Sequence, residues 1–325
     1  MKLPTAVNFI KSHDRFILTA HETPDGDALG SELAMSFALK SLGKEVKIIN
    51  ADPMPVKYSF IDPNDDVSTL KDSNLSNLKL ENYVLIILDT NDINNIGNVS
   101  SLILPYVEDS FIIDHHENGE TIISGNLVKE DASSTCEILY GLFKELNIEL
   151  SLKICSALYV GIVYDTGSFI YPKTTAKTFH IAYDLVSRGV NPNYVYSKLY
   201  ESNTISSLVL QSKVLSSLKL YYKDHVAVQT MRKETLAECG AFYEESDTLI
   251  NIPLKSENIR VSIFFKENLE GLLRCSLRSK GNIDVVEIAQ IFGGGGHKTA
   301  AGFKCKDSLD NTLSVVLDML EKYFL

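Results

Sequence analysis

The first half of the chain alternates short, continuous apolar runs with segments of helical periodicity. Phe16-Ile17-Leu18, Tyr83-Val84-Leu85-Ile86-Ile87-Leu88 and Phe111-Ile112-Ile113 are too short for helices and too uniformly apolar for half-exposed strands. Such runs mark parallel strands covered on both faces. Between the first two, residues 31–42 set Leu33, Ala34, Phe37, Ala38 and Leu42 at helical spacing, closed by Gly43, and residues 45–49 read as another strand. Strand, helix and strand in that order predict a parallel sheet.

Further on, Ser133-Ser134-Thr135 can cap a helix through Leu146, residues 152–164 and 175–188 carry two more helical patterns, and residues 194–218 form one long amphipathic stretch. After residue 224 the pattern changes. Residues 225–230, 260–266 and 272–279 alternate as half-exposed strands do, and a helix is predicted over 284–292 ahead of Gly293-Gly294-Gly295-Gly296. The expected architecture is α/β: a parallel-sheet N-terminal domain over 1–190, a helical connector over 191–224, and a smaller α/β C-terminal domain over 225–325.

Composition narrows the class. A chain of 325 residues with 45% hydrophobic content has apolar matter for two cores. Its five cysteines are scattered without a Cys-x-x-Cys pair, which speaks against a disulfide framework or a zinc-thiolate site. No apolar run approaches the roughly 20 residues of a membrane span, and residues 1–8 lack a secretory signal, so a cytoplasmic protein without membrane contact is expected. The net charge of −11 argues against a grip on long duplex nucleic acid by backbone electrostatics. Small phosphorylated substrates stay open, since bound cations reverse the local sign.

The candidate chemistry sits at the ends of the predicted elements. The first strand is followed by His21-Glu22-Thr23-Pro24-Asp25-Gly26-Asp27-Ala28; the Tyr83 run ends in Asp89-Thr90, the Phe111 run in Asp114-His115-His116, and a helix in Asp165-Thr166-Gly167. Open α/β sheets place their chemistry at such ends. An isolated Asp after a strand is usually a turn former or a cap. Four ends carrying carboxylates and imidazoles together point to divalent cations, and imidazole among oxygen ligands favours Mn²⁺, Fe²⁺, Co²⁺ or Zn²⁺ over Ca²⁺. Asp25 and Asp27, on a turn held by Pro24 and Gly26, could serve neighbouring ions. Asp92 adds a carboxylate with no evident role.

Gly293-Gly294-Gly295-Gly296 is either a hinge or a place where backbone N–H groups cradle an anion. With His297 and Lys298 following, and Arg274 and Arg278 preceding on one strand face, residues 274, 278 and 294–297 are candidates to grip a terminal phosphate or a base; the alternative for the arginines is a solvated strand face.

The set His21-x-x-Pro24-Asp25-x-Asp27-Ala28, Asp89-Thr90, Asp114-His115-His116, Asp165-Thr166-Gly167 and Gly293-Gly294-Gly295-Gly296-His297 with Ala300, Ala301 and Gly302 resembles the DHH phosphoesterases that carry a DHH-associated C-terminal domain, in the family's order and over nearly the whole chain. The two-domain layout looks most like the bifunctional oligoribonuclease and pAp phosphatase (nanoRNase) group. The resemblance implies two divalent ions, usually Mn²⁺: His21, Asp25 and Asp89 on one, Asp27, Asp89, His115 and Asp165 on the other, with Asp89 bridging. It implies that His116 faces the scissile phosphate, that Asp114 orients a neighbouring histidine, and that short single-stranded RNA and pAp are the substrates of a hydrolase, with a homodimer allowed. Two such ions activate water and stabilise the oxygens that attack and leave phosphorus. The sequence lacks a Walker loop and a Gly-x-Ser-x-Gly elbow. Two other readings remain: a stand-alone phosphodiesterase for cyclic di-AMP or pApA, and a non-catalytic nucleotide-binding module.

Overall fold

A computed structural model describes residues 2–73, 75, 78–117, 123 and 125–324, and the chain divides after Ser202 into two compact units. In order, the first contains α1 (Lys2–Ser12), β1 (Arg15–Thr19), α2 (Gly26–Ser41), β2 (Glu45–Asn50), β3 (Val67–Thr69), β4 (Val84–Leu88), α3 (Val99–Leu102), β5 (Asp109–Asp114), β6 (Asn126–Val128), α4 (Thr135–Glu145), α5 (Leu152–Asp165), α6 (Ala176–Ser187) and α7 (Pro192–Tyr200). The second contains α8 (Ile205–Ser216), β7 (Lys219–Tyr221), β8 (Val226–Met231), α9 (Lys233–Cys239), β9 (Val261–Glu267), β10 (Leu273–Ser279), α10 (Val286–Ile291), β11 (Gly295–His297), β12 (Ala300–Lys304) and α11 (Leu309–Leu320).

The first sheet is parallel throughout, in the order β3-β2-β1-β4-β5-β6. Its strands read as unbroken apolar runs because both faces are covered. Phe16, Leu18, Ile86, Leu88, Phe111 and Ile113 face a core shared with α1, α2, α4 and α5, while Ile17, Leu85, Ile87 and Ile112 face a second core with Ile96, Val99 and Ile103. The strand order reverses between β1 and β4, and at such a switch point the carboxyl ends of neighbouring strands open a crevice.

α2 starts five residues before the predicted helix, inside the first motif. Asp25 is its N-cap, its Oδ1 accepting from the N–H groups of Asp27 (2.9 Å) and Ala28 (3.2 Å). Gly26 and Asp27 are therefore helical residues, not part of a Pro-Gly turn. The missing periodicity has a packing cause: a Cβ on Gly30 would lie 2.6 Å from the Ala157 carbonyl oxygen and one on Gly26 2.6 Å from the Tyr164 ring, so small residues let α2 press against α5.

The second sheet, β11-β12-β10-β9-β8-β7, is antiparallel except for β8 beside β9. The single helix expected over 194–218 is two, α7 and α8, parted at residues 201–204 where Thr204 Oγ1 caps α8 by accepting from Ser207 N–H (2.9 Å). That break lies where the units divide. Among the described residues no helix is long and apolar enough to cross a membrane.

Candidate metal centre

Parallel register brings the motifs together. Thr19 pairs with Ile87 and Leu88 with Ile113, so the residues following β1 and β4 emerge beside the end of β5. His21 Nδ1 contacts the Glu22 carbonyl at 2.8 Å; a carbonyl only accepts, so this nitrogen carries a proton and Nε2 is the one turned to the carboxylates. Nε2 lies 3.7 Å from Asp89 Oδ2 and 4.0 Å from Asp25 Oδ1. His115 is set the same way. Its Nδ1 contacts the Ala132 carbonyl at 3.3 Å, and Nε2 lies 3.0 Å from Asp165 Oδ2, 3.6 Å from Asp89 Oδ1 and 3.9 Å from Asp27 Oδ2.

Three groups of side chains could each hold a metal ion: His21, Asp25 and Asp89; Asp27, His115 and Asp165; and Asp89, His115 and His116, with donor atoms within 4.8 Å of one another in each. The six residues expected as ligands thus converge. Asp89 faces His21 with one oxygen and His115 with the other. It sits at φ +61°, a left-handed backbone that an Asp tolerates and that turns its side chain off the strand.

The environment suits a cation. Burial, followed by the neighbouring carboxylates of Asp89 and Asp165, pushes the Asp27 carboxyl well above its usual range. Burial and then Asp25 and Asp165 do the same to Asp89, while burial raises Asp25 against the pull of His21. Burial disfavours a charged His115, yet Asp165, Asp27 and Asp114 outweigh it and hold the imidazole at about 9. Its Nε2 is buried and, despite the nearby Asp165 oxygen, has no aligned hydrogen-bond partner. A buried imidazole nitrogen aimed at crowded carboxylates fits a divalent cation that supplies the missing positive charge.

Several residues that complete the centre carried no functional signal in the sequence. Asp27 accepts from the N–H groups of Thr135 (2.6 Å) and Cys136 (3.1 Å), the first turn of α4, and Thr135 Oγ1 donates to Asp89 Oδ1 at 2.9 Å. The Ser-Ser-Thr cap was legible; its aim at two carboxylates was not. Lys173 Nζ contacts the His115 carbonyl at 3.4 Å. Asp92 proves to be a turn cap, its Oδ1 accepting from the N–H and side-chain amide of Asn94 at 2.9 Å each.

The residues expected to grip substrate lie in the second unit. Arg274 sits in register between Lys266 on β9 and Lys304 on β12, three cations abreast across adjacent strands. Lys266 is paired with Asp247. With Lys306, Ser276 and Gly294 they line a pocket of about 560 Å³ that, among the described residues, no acidic side chain lines. Like charges directly opposite one another disfavour a sheet unless an anion joins them. Arg278 and His297 lie further along, flanking Ala300 on β10 and β11, and Arg278 does not line that pocket; of His297 only the backbone is described. Strand packing accounts for two glycines: a Cβ on Gly294 would lie 2.2 Å from the Gly302 carbonyl oxygen, and one on Gly296, at φ +137°, 2.4 Å from that of Ala300. Gly295 faces open space.

Comparison with known proteins agrees with this layout. Residues 15–162 match the DHH family, N-terminal domain, and residues 223–324 match the DHHA1 domain. The chain is 28% identical over 299 residues to the "Bifunctional oligoribonuclease and PAP phosphatase NrnA" of Bacillus subtilis, covering 91% of each. It is 30% identical over 297 residues to the "Probable bifunctional oligoribonuclease and PAP phosphatase NrnA" of Streptococcus mutans, covering 90% of each. Among solved structures, an exopolyphosphatase-related protein from Bacteroides fragilis superposes with a TM-score of 0.92 at 27% identity, over 99% of this chain and 96% of that one.

Proposed function

Because the chain belongs to the DHH phosphoesterase family and carries its DHHA1 domain, we propose that it is an Mn²⁺-dependent hydrolase that cleaves short oligoribonucleotides to mononucleotides and pAp to AMP. The observation that carries this reading is Asp89, whose two oxygens face the two histidines, the arrangement of a carboxylate shared by two ions. His21, Asp25 and Asp89 would hold one ion and Asp27, Asp89, His115 and Asp165 the other. Bound there, divalent cations would lower the pKa of water and offset charge on the attacking and leaving oxygens.

The chain's own residues do the rest. Thr135 and the α4 amides fix the carboxylate oxygens of Asp89 and Asp27, which keeps the ligand set organised. His116, with half of its side chain exposed, is oriented by Asp114 and would meet the scissile phosphate. In the reaction the oxygen of water bonds to phosphorus, the phosphorus–oxygen ester bond breaks, and the leaving oxygen takes up a proton. The row Lys266, Arg274 and Lys304 suits a phosphate of the substrate and supports nucleotides over small generic esters.

Purified protein with Mn²⁺ should release AMP from pAp and mononucleotides from an RNA series of two to five residues, with much slower turnover of cyclic di-AMP and pyrophosphate. Preference for cyclic di-AMP, or for the dinucleotide pApA with no turnover of pAp or of longer RNA, would replace this reading by the dinucleotide phosphodiesterase. Inactivity on all four would leave a nucleotide-binding module.

A further inference from the structure

We propose that Asn50 and Glu32, neither of them in the ligand set, form a positioning device for His21, so that the affinity of one metal subsite is set by residues that do not touch the ion. Asn50 ends β2, and its carboxamide lies buried against the end of β1. Its Oδ1 accepts from the N–H of Ala20 and from Thr19 Oγ1, both at 3.2 Å, and its Nδ2 donates to Glu32 Oε2 at 3.0 Å. Thr19, Ala20, Glu32 and Asn50 are each at most 1% exposed.

The orientation of the carboxamide is forced. A backbone N–H can only donate, so the oxygen must face Ala20 and the amide nitrogen must face Glu32. Glu32 Oε2 holds the amide in that orientation by accepting from Nδ2, and Ala20 is the residue from which the chain turns to present His21. The turn is pinned beyond it as well, by Glu22 N–H on the Asn95 carbonyl at 2.7 Å and Thr23 N–H on Asp52 Oδ2 at 2.8 Å. Burial holds the Glu32 carboxyl up at about 8, so at neutral pH it acts as an uncharged acceptor, and its Oε1 has no hydrogen-bond partner. A carboxamide can replace such a group; an alkyl side chain cannot.

The inference rests on the proposed metal centre, and calorimetric Mn²⁺ titration of the 325-residue protein separates the two. Wild-type protein should bind two ions. N50L and E32L should weaken one of them about 10- to 100-fold, the scale of losing a group that orients a ligand, while the other stays within threefold; E32Q should keep both within threefold. At limiting Mn²⁺ the kcat on pAp should fall in N50L and return at high Mn²⁺, with KM for pAp unchanged. Melting in EDTA identifies a variant that does not fold, and E32L read against E32Q then decides. Wild-type protein that binds no Mn²⁺ would overturn the metal centre and this inference together. Two wild-type affinities in N50L and E32L, or an E32Q as impaired as E32L, would overturn the positioning role alone.

Discussion

Asp114 accepts from His116 twice, from the backbone N–H at 3.1 Å and from ring Nδ1 at 2.8 Å, and the carboxylate is fully buried while the imidazole is half exposed. The first residue of the Asp-His-His triplet thus serves the third. Asp114→Asn should lower kcat about 10- to 100-fold, as loss of an orienting carboxylate does, and His116→Ala should cost about 10²- to 10⁴-fold. Both proteins should melt as wild type does. An Asp114→Asn enzyme with undiminished kcat, beside an inactive His116→Ala enzyme, would show that the ring needs no such partner.

Asp89→Ala should abolish turnover of every substrate, a loss above about 100-fold and larger than that of any residue that only orients a ligand. Removing it leaves each histidine without the carboxylate oxygen it faces. The metal-free variant should still fold, because removal of one crowded carboxyl offsets the strain of Ala at φ +61° and the loss of the Thr135 hydrogen bond. Wild-type turnover of Asp89→Ala at saturating Mn²⁺ would exclude a shared ligand.

Activity should vanish with a chelator and return with Mn²⁺ or Co²⁺ better than with Ca²⁺, since two histidines enter the ligand set. Full activity after exhaustive dialysis against EDTA would remove the metal from the reaction.

The pH dependence of metal-free stability follows from the same groups. Glu32 is raised to about 8 in the fold, so between its unfolded value near 4.5 and 8 the unfolded chain ionises first and stability falls as pH rises. His115, raised to about 9, contributes stability that is complete below its unfolded value near 6.5 and is lost as pH climbs to 9. The directions agree. In EDTA the melting temperature should drop between pH 6 and pH 9, and Mn²⁺ at 100 times its dissociation constant should restore about 2.7 kcal/mol per ion. A melting temperature that rises over this window without metal would contradict the burial of these groups.

How far the sequence foretold this depends on what kind of pattern carries each feature. The strand ends were legible because runs such as residues 84–88 are buried on both faces, and the carboxylates and imidazoles of the centre follow those runs directly. The start of α2 was hidden because Gly26 and Gly30 admit close helix contact and small buried residues such as Ala28 and Ser31 fill the same turns, which erases helical periodicity. Thr135, Asn50 and Glu32 were invisible for another reason: each acts through a partner 18 to 46 residues away that only strand register and helix placement bring near. Lys304 and Lys266 likewise become neighbours of Arg274 only once three strands are aligned.

That alignment yields the last prediction. Arg274→Ala, and separately Arg278→Ala or His297→Ala, should impair use of pAp and short RNA far more than hydrolysis of bis-p-nitrophenyl phosphate. Binding energy from parts of a substrate remote from the reacting bond can be spent on positioning, so kcat as well as KM is open to loss. One charge-assisted hydrogen bond to phosphate is worth about 1.5 to 3 kcal/mol, roughly a 10- to 150-fold change in kcat/KM. Arg274 should show the larger effect if the phosphate sits among the aligned cations, whereas Arg278 and His297 should dominate if it sits beside Ala300. The generic ester carries no remote phosphate and should be spared in all three. Equal losses on both substrate classes, in proteins that remain folded, would mean that the second unit takes part in the chemistry itself and not only in holding the nucleotide.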